Sequence, residues 1–168
     1  MVQDRAMSST GPGTPIAKSV WTDADFDTMG WHDNAVHAFA FEPAMPFPGR
    51  LLIDLDYIVE WASPVAPETR FSFWMCPSTL VFDHAWDLTG DVDLTRRSLT
   101  LQLNTILRSE PDPRGFHEWT LEGQEFTLRL SAKGFTQYLR RPAIQSFQQR
   151  LEADERGGPS FDQLGYTP

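Results

Sequence analysis

Two histidines, an aspartate and an asparagine fall within six positions of the stretch GWHDNAVHAFAFE, residues 30–42, as His32, Asp33, Asn34 and His37. A further histidine, His84, stands in FDHAWD. Imidazoles beside carboxylates are the raw material of general acid–base catalysis and of transition-metal ligation. His32, Asp33, His37 and His84 are therefore the candidate catalytic set. Spacing argues against a metal, because neither HExxH nor CxxC occurs. The five-residue step from His32 to His37 puts them on opposite faces of a strand unless Asp33 and Asn34 bend the chain, as such residues favour. Alternation then places His37 with Phe39 and Phe41, and His84 with Leu80, Phe82, Trp86 and Leu88. The two imidazoles meet only if both strands share a buried face. The plainer reading makes Asp33 and Asn34 turn residues and the histidines hydrogen-bonded members of strands. No metal and no cofactor is expected.

Other chemistries find less support. The single cysteine, Cys76, lies in FSFWMCP, the setting of a buried, inert thiol, and excludes an intramolecular disulfide. There is no GxSxG elbow, no phosphate-cradling glycine loop and no dinucleotide fingerprint. The balance therefore leans away from an enzyme.

Carboxylates carry the stronger signal. Residues 20–93 hold thirteen acids against Arg50 and Arg70, a local charge of −11 within a chain of −9. Phosphate backbones need the opposite sign, so nucleic acid is excluded as the ligand of this half, and a basic protein partner fits. In LLIDLDYIVEW, Ile53, Leu55, Tyr57, Val59 and Trp61 alternate with Asp54, Asp56, Ile58 and Glu60. That pattern is a strand with one buried face, which turns Asp54, Asp56 and Glu60 outward. Asp83 and Asp87 face away from His84 by the same rule. These five acids are the candidate partner-binding residues.

The elements positioning these groups are mostly strands. Residues 1–19, rich in Ser, Gly and Pro, read as a flexible leader, 20–156 as one β-rich domain, and 157–168 as a loose tail. WTDADFDTMG predicts a short helix over 22–29, with Thr22 and Asp25 as a capping box, Trp21 and Phe26 as a staple and Gly30 as a left-handed stop. Strands follow in AVHAFAFE, LLIDLDYIVEW, RFSFWMC, STLVFDHAWDL and SLTLQLNTIL, with Pro77 separating the third from the fourth. HEWTLEGQEFTLRL reads as a hairpin on a Gly123–Gln124 turn, with Leu121 opposite Phe126 and Trp119 opposite Leu128. The spacing of Ile144, Phe147 and Leu151 predicts a helix over 143–155, with an extended arm as its rival. Core positions are Trp31, Phe39, Leu55, Tyr57, Phe82 and Trp86. No apolar run reaches the roughly 18 residues of a membrane span.

The succession GWHDNAVHAF, GRLLIDLDYIVEW, PSTLVFDHAWDL, KGFTQYLRR, over about residues 20–140, resembles small β-rich bacterial proteins with a W-H-D-N element. It is loosely similar to immunity-protein families of bacterial polymorphic toxin systems. The resemblance implies a cytoplasmic acidic protein that occludes a toxin domain without catalysis. The expected fold is α+β and β-dominated: an antiparallel meander forming a curved sheet or small sandwich, with a short N-terminal helix and a C-terminal one as an alternative. Exposed strand edges leave a homodimer open.

Overall fold

The computed structural model describes residues 16–95 and 100–167. Among these residues nine antiparallel strands form one sheet: β1 Val20–Thr22, β2 Asn34–Glu42, β3 Gly49–Ala62, β4 Ser72–Val92, β5 Leu101–Arg108, β6 His117–Gly123, β7 Phe126–Ala132, β8 Gly134–Leu139 and β9 Ile144–Ser146. Most of the expected leader, residues 1–15, lies outside the described residues.

Strand β4 organises the rest. On one side it pairs with β3 in a long hairpin, Gly49↔Ala85 through Ala62↔Ser72. On the other it pairs in turn with β9, β8 and β7, which lie end to end as one interrupted strand. Pairings β4–β3–β2–β5–β6–β7 return to β4, so six strands close a barrel and β1, β8 and β9 extend it. Closure gives each of these six strands a partner on both sides, while β1 ends the sheet as an edge beside β8. Pro77, expected to separate one strand from the next, instead lies within β4. It has no N–H to donate, but its carbonyl still joins the ladder, accepting from the Arg140 N–H at 2.8 Å.

Aromatic side chains fill the interior. Phe82 and Trp119 are fully buried with ring centroids 5.3 Å apart, and Phe26, Trp31 and Phe135 complete the stack. Leu55 and Tyr57 are buried as expected, and Phe39 packs against the Phe126 ring. Trp86 is not core: it is 41% exposed. Strand β4 bulges between Asp83 and Ala85, and again between Trp86 and Thr89. His84 and Asp87 take the extra positions with φ of 55° and 53°. One inserted residue flips the alternation, so His84 turns out to solvent and leaves the face of Leu80 and Phe82.

The helical expectations need correction. The N-terminal segment is no α-helix: Asp23–Thr28 winds as a 3-10 helix, with the Asp25 carboxylate accepting from the Thr22 N–H at 2.9 Å. Gly30 is absent from the residues of positive φ. No helix forms over 143–155, because Ile144–Ser146 pairs with β4. Only Ala153–Arg156 makes one α-turn, α1, closed by Gly157 at φ 80°. No helix among the described residues is long and apolar enough to cross a membrane.

The β6–β7 hairpin keeps its faces but slips its register by two. Leu121 lies opposite Leu128 and Trp119 opposite Leu130, so the loop is Gly123–Phe126. A slip of two preserves every side chain's face, whereas a slip of one would reverse them all. Gly123 is drawn into the β5 ladder opposite Leu103, where a Cβ would stand 2.4 Å from the Gln102 carbonyl oxygen.

Phe82→Ala should lower the unfolding free energy by about 3–5 kcal/mol, the usual loss for a buried aromatic. Trp86→Ala should cost roughly 1 kcal/mol or less, as for a surface change. Guanidinium titrations of both variants check the pair, and equal losses would place Trp86 inside.

Candidate functional site

The outer face of β3 is not solvent. Leu52, Asp54, Asp56 and Ile58 alternate outward, yet all four are buried, with both aspartates at 0% exposure. The segment after β8 covers them. Leu151 joins Ile58, Phe73 and Met75 in a second apolar cluster, and Ile144 packs against it. The neighbouring carboxylates need charge in the same shelter, since an ion removed from water must be compensated.

Two arginines supply it. Asp54 Oδ1 accepts from Arg140 Nη2 and Arg156 Nη2, each at 2.7 Å. Its Oδ2 accepts from Arg156 Nη1 at 3.0 Å and the Ser160 N–H at 3.1 Å. Asp56 Oδ1 accepts from Arg156 Nε at 3.1 Å, and its Oδ2 from the Leu151 N–H at 2.9 Å and His37 Nε2 at 2.7 Å. The planar guanidinium of Arg156 thus bridges both carboxylates, a fork that a lysine could not reproduce. Arg140 Nη1 also donates to Thr79 Oγ1 and the Ser160 carbonyl, both at 2.7 Å. The residues past Gly157 follow the same path, with Gln163 accepting from Arg50 and the Tyr166 N–H donating to the Leu139 carbonyl. The boundary at 156/157 therefore marks no break in packing.

His37 reaches this network through a bulge. Strand β2 shifts register between Val36↔Leu55 and Ala38↔Asp54, and the inserted residue is His37. Its ring therefore points to Asp56 on the outer face instead of joining Phe39 within. Arg150 Nη2 donates to Nδ1 at 3.1 Å while Nε2 donates to Asp56, and these partners assign the proton to Nε2.

Both expected roles of these groups change. Asp54 and Asp56 offer no surface to a partner, because the C-terminal arm already occupies them. The four catalytic candidates do not converge. His32 is exposed, 3.0 Å from the Asp33 carboxylate and edge-on to Trp61. Asp33, at φ 62°, turns the chain and accepts from Gln149. His84 lies opposite Gly49 and Arg50, about five β3 residues from the His37 bulge, which is roughly 16 Å along the strand at 3.3 Å per residue, with β3 between the two. Among the described residues no group of three or more His, Cys, Asp or Glu side chains is placed to hold a metal.

Of the remaining acids, Glu60 and Asp83 are half-buried and Asp87 is exposed. Asp83 and His84 border an open cavity of about 360 Å³ beneath the β2–β3 loop, opposite Glu42 and Arg50. Cys76 is fully buried, and burial pushes its thiol up to about 12, so it stays protonated and inert. No protein-family model, curated protein or solved structure matches the chain.

Sequence reading missed Arg140, Arg150, Leu151 and Arg156. One signal was present: Leu52 and Ile58 share the acidic face, and solvent is a poor place for both. The near-neutral second half, with RR at 140–141 and Arg156, held the countercharge.

Burial raises the Asp56 carboxyl, but the His37 hydrogen bond, the Leu151 N–H and the Arg156 charge outweigh it and hold it below its ordinary 3.8. Such a group stabilises the fold above its unfolded pKa, and the contribution is lost as pH falls through the folded value. The unfolding temperature should therefore fall steeply below about pH 4, and Asp56→Asn should flatten that slope. Arg156→Ala should cost about 3–5 kcal/mol at neutral pH, because it strands two buried carboxylates. A denaturant titration showing less than about 1 kcal/mol would mean that the arm detaches freely.

Proposed function

We propose that the chain is a non-enzymatic, acidic protein-binding module of the cytoplasm, of the kind represented by the immunity proteins it resembles, which engages a basic partner such as a toxin domain. The observation that carries this reading is the charge left outside after folding. Of the thirteen acids in residues 20–93, Asp54 and Asp56 are neutralised by arginines from the second half. Asp25 pairs with Lys18 and Glu42 with Arg50 at the surface. Asp87 and Asp91 on β4 and Glu68 before it stay exposed, and Asp83 half-buried. A surface so weighted draws basic proteins at rates beyond unaided diffusion.

The imidazole chemistry supports the same choice. A catalytic histidine must present one nitrogen to its substrate, whereas both nitrogens of His37 are held by Asp56 and Arg150.

Affinity capture by the immobilised chain, followed by binding kinetics, tests the proposal. The variant Glu68→Lys/Asp83→Lys/Asp91→Lys should keep its unfolding temperature within a few degrees. It should associate with the captured basic protein about tenfold more slowly or worse at low salt, the gap closing as salt rises. An unchanged association rate at every salt concentration would make the acidic face a matter of solubility and defeat the reading.

A further inference from the structure

The β2–β3 connection presents large apolar side chains that the fold leaves outside. Met45 is 87% exposed and Phe47 80%, and Phe41, near the end of β2, is 63% exposed beside them. This loop is not slack chain. Pro43, Pro46 and Pro48 restrict its backbone, and at its base Gly49 passes so close to Glu42 that a Cβ would stand 2.4 Å from that residue's carbonyl oxygen. An apolar tip on a proline-restricted backbone is the form of a docking knob, since a backbone already restricted loses little entropy on binding.

Beside the knob lies the cavity of about 360 Å³, walled by Pro43 and Pro48, with the Glu42–Arg50 pair on one side and Asp83 and His84 on the other. Arg50 is engaged with Glu42 and with Gln163 at 2.8 Å. Asp83 has no ion-pair partner among the described residues, so the cavity keeps one carboxylate in excess. An anionic lipid surface would meet that charge with its own sign. A second copy would bring two knobs and two acidic cavities together in a chain already at −9.

Resting on the protein-binding reading above, we infer that this end of the barrel is the contact surface, and that its occupant is a protein presenting an apolar pocket bordered by lysine or arginine. Met45 and Phe47 enter the pocket. A basic side chain of the partner lies along Pro43 and Pro48 and places its head on Asp83.

Two measurements test this. In the first, N-acetyl-arginine amide is titrated into the 15N-labelled full chain. Amide shifts should move at Gly49, Arg50 and Asp83–Ala85, at least threefold further than with the uncharged citrulline analogue, and Asp83→Asn should erase the difference. Equal shifts from both probes, or shifts elsewhere, would overturn the cavity's role. In the second, the variant Met45→Ser/Phe47→Ser is measured against the basic protein obtained by capture. Its unfolding temperature should be unchanged, its association rate within about twofold, and its dissociation rate raised tenfold or more, because apolar contact acts on dissociation and charge on encounter. An unchanged dissociation rate overturns the knob while leaving the protein-binding reading intact. Failure to capture any partner sensitive to the acidic face defeats both. Cosedimentation of the chain with phosphatidylcholine–phosphatidylglycerol vesicles, or dimerisation abolished by the double serine variant, would also overturn the inference, in favour of a membrane or a second copy.

Discussion

Two ionised carboxylates on the covered face of a strand cannot exist without countercharge, and that constraint shapes the second half of this chain. Asp54 and Asp56 are at 0% exposure, where an unpaired ion would be prohibitive. Arg140 answers Asp54 from 86 residues away along the sequence, and Arg156 answers Asp54 and Asp56 from 102 and 100. Once those guanidiniums are fixed, the chain between them has little freedom. It pairs as β9 along β4, inserts Leu151 over Ile58 and Met75, and makes the single turn that aims Arg156 inward. Apolar burial would stabilise such an arm anywhere on a greasy face. Directional pairs to two particular carboxylates select one position, the registry role for which buried polar groups are best attested.

Irregularities in the ladder do comparable positioning. A bulge at His37 turns an imidazole toward Asp56, and a bulge at His84 turns another away from the core. Left-handed φ at His84 and Asp87, neither of them glycine, costs on the order of 1 kcal/mol each or more. The 21-residue length of β4 makes that strain useful. Its opening stretch lies between β3 and the β8–β9 track, while its closing stretch pairs with β7 to shut the barrel. Without local bends one strand could not serve both curvatures.

These same features decide how much was legible in the sequence. Strict alternation in LLIDLDYIVEW sorted Ile53, Leu55 and Tyr57 from Asp54 and Asp56 correctly, because β3 has no bulge there. Alternation failed at His37, His84 and Trp86, where an inserted residue reversed the faces without leaving a compositional trace. Turn chemistry at Asp33 and the capping pattern at Thr22 were readable because they depend only on neighbours in the chain. Burial of the acidic face was not, since it depends on an arm a hundred residues away. Ile144, Phe147 and Leu151 fit a helical stripe equally well, but the open side of β4 took the backbone of Ile144–Ser146 and left Phe147 exposed.

Covered and uncovered acids are therefore set apart by the reach of that arm and not by residue type. Asp54 and Asp56 lie where Arg140 and Arg156 can meet them. Toward the barrel's end the arm's contact with β3 is that of Gln163 with Arg50, and Arg50 lies opposite Asp83. From there β4 runs on through Asp87 and Asp91 with β7 as its paired neighbour. Its first half, residues 72–82, carries no charge and is committed to the core and the arm. Its second half carries acids that the chain leaves to solvent, next to a proline-rich loop that holds Met45 and Phe47 outside. Two arginines fixed by the fold neutralise Asp54 and Asp56 from within the chain, whereas Asp87 and Asp91 stay exposed beyond the arm's reach.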